Sequence, residues 1–270
     1  MSRVSLLKVI GLVGALATAQ AQAVPIIDTY IGSNDHGYGD IIGRADWFDI
    51  QRAEVTRENG FLRVDIFTNF VGHVGVYPSL TKNNKGIGYG DLFLGGPWTP
   101  FVKPGDNTAA NVDGHKFDNA LNGTLWRYGL SFDDPWSQAN NGSFTLYQLN
   151  GTNVENLILT EELFKPNAIA RDGQAVHVDR ASQTVASRGT GTWSIDTVQK
   201  RLSFVLDLSQ APALASWDYL SLHWGMTCNN DAIEGGVELP SVPEPASLAL
   251  FGLGLAGALT PLRRRRRRAD

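Results

Sequence analysis

Residues 141–151 read NGSFTLYQLNG, a stretch in which apolar and polar side chains alternate between two Asn-Gly pairs. Alternation with a period of two places one face of a β-strand against a core and the other face in solvent. Asn-Gly pairs supply the positive φ angles that tight hairpin turns require. The stretch therefore predicts a half-buried strand bounded by two turns.

The same pattern recurs along the chain, for example in residues 61–67, FLRVDIF, which follow Asn59-Gly60. Helical periodicity is scarce: residues 157–164 predict one short helix and residues 210–216 a single helical turn. Many short strands separated by turns are typical of sandwiches. We therefore predict an all-β fold, a single β-sandwich or jelly-roll-like domain over residues 24–241. Further strands are predicted at residues 123–132, 175–178, 191–195, 202–208 and 219–224.

The charge of the chain is distributed unevenly along the sequence. Residues 1–23 carry two positive charges and residues 263–270 a net five, so that residues 24–262 carry −11 of the total of −4. Nucleic-acid binding requires clustered Lys and Arg on the folded body. The acidic body therefore argues against nucleic acid as a partner.

The N-terminus has the three parts of a secretory signal peptide. Arg3 and Lys8 are followed by the largely apolar residues 9–19 and then by Ala21-Gln22-Ala23. Small residues at this spacing favour cleavage by signal peptidase after Ala23. A membrane span needs about 20 apolar residues, which this stretch does not reach. We therefore predict a signal peptide over residues 1–23 and export of the remainder.

The C-terminus, residues 242–270, contains a short motif, an apolar stretch and a basic cluster. Pro243, Glu244 and Pro245 precede the largely apolar residues 246–262, which predict a short transmembrane helix. The arginines behind this stretch would keep that end in the cytoplasm and leave residues 24–241 outside. The basic cluster consists of Arg263, Arg264, Arg265, Arg266, Arg267 and Arg268.

This order of three parts resembles the PEP-CTERM sorting signal. The resemblance implies recognition by exosortase, a membrane protease or transpeptidase that cleaves near the Pro-Glu-Pro motif. The family occurs in Gram-negative bacteria that make exopolysaccharide, and the same C-terminal motif is catalogued on ice-binding proteins. We therefore expect a membrane-anchored form in the cell envelope before processing, and then a cell-surface or extracellular protein. The alternative is a plain C-terminal anchor that is never processed.

Three segments rich in acids, amides and glycine suggest a metal site. Asp28, Asp35 and Asp40 lie in the first, Asp91 ends a glycine-rich stretch, and Asp231 follows Asn229-Asn230. Calcium takes six to eight oxygen ligands of these kinds. Asp and Asn also cap turns by bonding to the neighbouring backbone, which is the alternative interpretation. Calcium is therefore a candidate cofactor, held by those five aspartates if the fold brings them together.

No catalytic motif is present in the body of the chain. The single cysteine, Cys228, is more typical of an inert buried thiol than of a nucleophile activated by His223. Carboxylate pairs that a glycoside hydrolase would need are abundant, and nothing selects one of them. The pairs are Asp133-Asp134, Glu161-Glu162 and Asp231 with Glu234.

Seven tryptophans add one further possibility, because exposed indoles stack on sugar rings. Trp98, Trp136 and Trp217 lie in polar or Pro-containing segments, whereas Trp126, Trp193 and Trp224 lie in strand patterns and are expected in the core. The sequence thus favours a non-enzymatic surface or matrix protein that is associated with exopolysaccharide. A polysaccharide-acting enzyme and an ice-binding protein are the alternatives.

Overall fold

The computed structural model describes residues 23–33, 35–103 and 115–239. The predicted signal peptide, apart from Ala23, and the whole predicted sorting signal at residues 242–270 lie outside these ranges. Within them, no helix has the length and apolar character needed to cross a membrane. The predicted transmembrane helix at residues 246–262 is not among the described residues.

Strands dominate the described part of the chain, and the helices are single turns. The strands are β1 Val24–Ile27, β2 Ile50–Glu58, β3 Phe61–Thr68, β4 Leu92–Gly95, β5 Tyr128–Phe132, β6 Asn141–Leu149, β7 Leu157–Leu159, β8 Ala175–Val178, β9 Val185–Asp196, β10 Arg201–Asp207, β11 Tyr219–Gly225 and β12 Ala232–Glu238. The helices are α1 Ala45–Phe48, α2 Asn153–Asn156, α3 Thr160–Leu163 and α4 Pro212–Ala215. The all-β prediction is confirmed.

Ten of these strands form one antiparallel sheet in the order β1-β2-β3-β10-β9-β6-β5-β4-β11-β12, and β7 pairs with β8. The two edge strands of the large sheet lie close together, because a Cβ added to Gly235 of β12 would lie 2.7 Å from Ile26 of β1. The sheet is therefore curled until its edges nearly meet. This nearly barrel-like arrangement differs from the two stacked sheets of the sandwich that we expected.

The small β7–β8 pair packs tightly against the large sheet. A Cβ on Gly129 of β5 would lie 2.3 Å from the Val178 side chain of β8, so this position needs glycine. Trp126, Trp193 and Trp224 are buried, at 2%, 4% and 0% exposure. Their predicted place in the core is confirmed.

Two turn predictions have opposite outcomes. Asn59 and Gly60 have φ angles of 52° and 82° and join β2 to β3 as predicted. The turn predicted at Asn141-Gly142 is wrong, because both residues lie in β6 and pair with β9. A side chain on Gly142 would lie 2.8 Å from the Trp193 ring. Glycine at that position allows close packing against the indole.

Two element predictions also need correction. Residues 157–159 are strand β7 and only Thr160–Leu163 is helical, because β7 finds a partner in β8. Of the strand predicted at residues 123–132, only Tyr128–Phe132 is extended as β5. The Trp126 amide donates instead to the Asn153 side chain at 3.1 Å, outside any strand ladder.

Candidate functional site

Three of the aspartates selected from the sequence converge where the edges of the large sheet approach each other. Asp28 follows β1, Asp40 lies in the connection from β1 to α1, and Asp231 immediately precedes β12. One carboxylate oxygen from each lies within 4.8 Å of the other two. We call these residues the aspartate triad.

Hydrogen bonds hold two members of the triad in place. Asp231 is fully buried and accepts from the Ile50 amide at 2.6 Å and the Ala232 amide at 2.9 Å. Asp28 Oδ1 accepts from the Tyr30 amide at 3.2 Å, whereas its buried Oδ2 has no hydrogen-bond partner within residues 23–33, 35–103 and 115–239. The triad therefore contains a buried carboxylate oxygen that is free to bind a ligand.

The three carboxyl groups repel one another when they are ionised. Burial raises the pKa of Asp28 well above its usual range, and Asp231 and Asp40 raise it further. Burial also raises the pKa of Asp231, again with a contribution from Asp40. The pKa of Asp40 is raised by burial and partly restored by Arg171. A bound proton or cation would relieve the part of this repulsion that the nearby Arg171 charge does not offset.

Arg171 positions the triad without neutralising it directly. The guanidinium is buried and donates to the carbonyls of Asn229 at 3.0 Å, Gly39 at 3.0 Å and Asp40. These bonds fix the backbone of the Asp40 loop beside the segment that carries Asp231. Nothing in the sequence around Arg171 indicates this role, because its partners lie about 60 and 130 residues away along the chain.

Asp35 and Asp91 do not join the triad. Asp35 accepts from the amides of Gly37 and Gly39, both at 3.0 Å, and the Gly37 bond in particular lowers its pKa. Asp91 is buried and accepts from the amides of Phe132 at 3.1 Å and Val178 at 2.8 Å. Asp35 thus caps a turn, and Asp91 links β5 to β8.

A second buried cluster, which sequence reasoning missed, lies around His223 and Glu234. These residues are directly paired across β11 and β12, with 3.0 Å between His223 Nδ1 and Glu234 Oε2. His223 Nε2 donates to the Ala175 carbonyl at 3.1 Å, since a carbonyl only accepts. Glu234 Oε1 accepts from the Trp98 indole at 3.0 Å. The Nδ1–Oε2 contact therefore holds one proton between imidazole and carboxyl group.

Asp118 extends this cluster. Its carboxyl group accepts from the Tyr30 hydroxyl at 2.7 Å and from the Phe101 amide. Burial, followed by the negative charge of Glu234, raises the pKa of Asp118 to about 7. The Tyr30 hydroxyl also lies 3.3 Å from Gln174 Oε1. Tyr30, Asp118, His223 and Glu234 form what we call the interior polar cluster.

The pairing of Cys228 with His223 considered for a nucleophile is not formed. Both ring nitrogens of His223 bind other groups, and the Cys228 thiol is fully buried. Burial raises the pKa of that thiol to about 12, so it is not a thiolate at neutral pH.

The other candidate carboxylates form local hydrogen bonds. Asp231 and Glu234 belong to the two different clusters described above. The remaining four accept from nearby amides or hydroxyls, which is typical of turn and helix capping. These contacts are Asp133 with Ser143, Asp134 with the Trp136 amide, Glu161 with the Gly173 amide and Glu162 with the Leu159 amide.

The tryptophans considered for sugar stacking have different surroundings. Trp98 is held by Glu234, and Trp217 packs against Tyr128 with ring centroids 5.7 Å apart. Trp136 is half-buried and lies beside an open cleft. Trp136 is therefore placed where a ligand in that cleft could reach it.

Comparison with known protein families identifies the C-terminal end. Residues 241–268 match the model of the PEP-CTERM protein-sorting motif. The chain is a PEP-CTERM-containing protein. The motif implies an exosortase-sorted protein that is exported to the cell surface or the extracellular space. No curated protein and no solved structure matches the chain.

Proposed function

We propose that this PEP-CTERM protein is a non-enzymatic component of the cell surface or extracellular matrix that associates with exopolysaccharide. The sorting motif at residues 241–268 carries the proposal, because it sends the folded body to that location. The body suits a binding or scaffold role, since the interior polar cluster is buried and internally hydrogen-bonded. Signal peptidase and exosortase are its partners during sorting.

Calcium is the cofactor that we propose for the folded body. The aspartate triad offers three carboxylates, and the exposed side of Asp40 provides a path for a hydrated ion. Calcium suits such a site better than magnesium, which demands a small octahedral shell. A bound ion would join β1, the Asp40 loop and β12, so its role would be to stabilise the fold.

A polysaccharide-acting enzyme remains the second candidate. Asp118, with a pKa of about 7, could act as a general acid near neutral pH, with Glu234 as its partner. The burial of both side chains, at 1% and 6% exposure, argues against it, because a substrate must reach them. Release of reducing sugar ends from isolated exopolysaccharide would support the enzyme, provided that Glu234→Gln abolishes that release.

The proposed location and partner can be tested together in the producing cells. We expect the processed protein to co-fractionate with cell-surface polysaccharide and to be released when that polysaccharide is digested. A protein that stays soluble in the periplasm, or that remains with the membrane after digestion, would contradict the association.

Processing depends on the C-terminal motif. Replacing Pro243, Glu244 and Pro245 with alanine should leave export intact and cause the uncleaved form to accumulate in the membrane fraction. Immunoblotting of fractions from cells that contain exosortase measures the ratio of the two forms. Equal processing of the triple variant and the wild type would contradict recognition through this motif.

A further inference from the structure

A cleft of about 430 Å³ opens between two connections of the large sheet. One wall is the connection from β5 to β6, which carries Asp133, Asp134 and Trp136. The other wall is the end of β8 and the start of the connection to β9, residues 177–181. We call this the Trp136 cleft. Its volume lies within the range of roughly 300–1,000 Å³ that small-molecule sites occupy.

The Trp136 indole is held rigidly at this cleft. Its Nε1 donates to the Gly86 carbonyl at 2.8 Å, and its backbone amide donates to Asp134 Oδ1 at 3.1 Å. A Cβ on Gly88 would lie 3.0 Å from Trp136 Nε1, so glycine at position 88 allows the indole to pack closely against the backbone there. The Lys85 ammonium lies 4.8 Å from the ring centroid. An indole fixed in advance loses little entropy when a ligand stacks on it.

Polar groups of both kinds surround the indole. Asp133, Asp134 and Asp179 offer acceptors, whereas Lys85 and Arg180 offer donors. The Arg180 guanidinium is fixed by a bond to Ser131 Oγ at 2.7 Å. A flat aromatic surface edged by fixed donors and acceptors is complementary to a sugar ring, which presents C–H groups on its face and hydroxyls at its edge.

His177 supplies one more polar group on the wall of the cleft. Its Nδ1 lies 3.4 Å from Asp91 Oδ1, and its ring meets the Trp136 ring edge-on at a centroid distance of 6.1 Å. Its Nε2 has no hydrogen-bond partner among the described residues. An unpaired buried ring nitrogen is energetically costly, and it leaves His177 with unused hydrogen-bonding capacity beside the cleft.

We propose that the Trp136 cleft binds a neutral hexose unit of a polysaccharide chain, with the sugar ring stacked on Trp136. The ligand is neutral because three carboxylates and two cations line the cleft, and residues 24–262 carry a charge of −11, which repels polyanions. This inference rests on the proposed association with exopolysaccharide and assigns that association to one site.

Trp47 provides a matched control. It is also half-buried, but the Arg44 guanidinium lies 3.9 Å from its ring centroid and His73 stacks on it at 4.8 Å. The Trp47 ring is thus covered by a stacked imidazole as well as by a cation, whereas Trp136 has the Lys85 ammonium over its ring and meets His177 only edge-on. Ala181 provides a second variant, since this small exposed residue lines the cleft and a longer side chain there would fill its mouth without disturbing the core.

The test is affinity electrophoresis of the processed protein in native gels that contain galactomannan, hydroxyethyl cellulose or alginate. We expect at least one of the two neutral polymers to retard the wild type and alginate not to do so. Trp136→Ala and Ala181→Gln should each weaken the apparent affinity at least tenfold, whereas Trp47→Ala should leave it unchanged. Thermal melting of each variant confirms that it is folded.

Two results would overturn the site. One is the absence of retardation by both neutral polymers, and the other is equal retardation of the wild type, Trp136→Ala and Ala181→Gln. A second experiment distinguishes failure of the proposed site from failure of the proposed function. It tests whether the Trp136→Ala variant co-fractionates with cell-surface polysaccharide. If the variant co-fractionates as the wild type does, the association is real but the cleft is not its site; if neither protein co-fractionates, the proposed function fails.

Discussion

The processed protein should melt about 5–10 °C higher in saturating calcium than in a chelator. A ligand at 100 times its dissociation constant stabilises the folded state by about 2.7 kcal/mol. For a domain of this size, each kcal/mol raises the melting temperature by about 2–4 °C. The physical source is the aspartate triad, whose three carboxylates repel one another until a divalent ion lies between them. Differential scanning calorimetry gives the two temperatures.

Asp40→Asn should shift the melting temperature in opposite directions in chelator and in calcium. Asp40 is exposed, so the substitution leaves the core intact while it removes one repulsive charge from Asp28 and Asp231. The variant should therefore melt higher than the wild type in chelator and lower than the wild type in calcium. Glu58→Gln removes one charge from the exposed end of β2 and should show the wild-type response to calcium.

Magnesium separates a calcium site from screening of the acidic body. Residues 24–241 carry 15 positive and 25 negative side chains, a net charge of −10, and any divalent cation stabilises such a body to some extent. Magnesium should give a clearly smaller shift, because it resists irregular coordination. Equal shifts in the two metals, unaffected by Asp40→Asn, would mean that the triad holds protons and not calcium.

The second large effect is a loss of stability as the pH rises from about 4 to about 8. Asp118 has a pKa of about 7 in the folded protein, above the ordinary value of 3.8. The folded state therefore keeps a proton that the unfolded chain has already released. The stabilisation is complete below about pH 4 and disappears as the pH passes 7, a change of up to about 4 kcal/mol. Urea denaturation along a pH series measures it.

Asp118→Asn should make this fall of stability with pH less steep, and the raised pKa values of Asp28 and Asp231 should account for the slope that remains. The substituted amide still accepts from the Phe101 amide, and the Tyr30 hydroxyl can donate to Gln174 instead. Asp207→Asn serves as a contrast. Hydrogen bonds from Ser209 lower the pKa of that exposed carboxyl, so its removal should change the dependence of stability on pH in the opposite direction. A pH profile of Asp118→Asn parallel to that of the wild type would show that Asp118 is ionised in the folded protein.

Local patterns in the sequence account for part of this fold. The alternation in residues 61–67 identifies β3, and the Asn59-Gly60 pair identifies its hairpin. The Asn141-Gly142 pair misleads, because the reason for its glycine is the Trp193 ring, about 50 residues away. The sequence of strand β12 contains Gly235-Gly236 in its centre, a pair that is typical of loops. Only its neighbours in the curled sheet explain why this segment is a strand.

The candidate sites, like the fold, could be predicted only in part from local sequence patterns. Composition placed Asp28, Asp40 and Asp231 in oxygen-rich segments, but their meeting depends on β1 and β12 lying at neighbouring edges of the sheet. The sequence pointed to His223 and Glu234 only as partners of other residues, and their meeting with Asp118 was not predictable, because Tyr30 and Asp118 are 88 residues apart. Convergence of this kind is set by strand order, which periodicity does not specify.

The strand order also determines when this protein can fold. Strand β3 pairs with β10, β4 pairs with β11, and the first strand lies near the twelfth. Most of the chain must therefore be synthesised before the β3–β10 and β4–β11 pairings can form, and the entropy of closing such long loops slows folding. Slow folding benefits a secreted polypeptide, because a translocation channel passes unfolded chains. We therefore expect the same topology that unites distant aspartates to keep the nascent chain unfolded, and so competent for export, until most of its strands have been made.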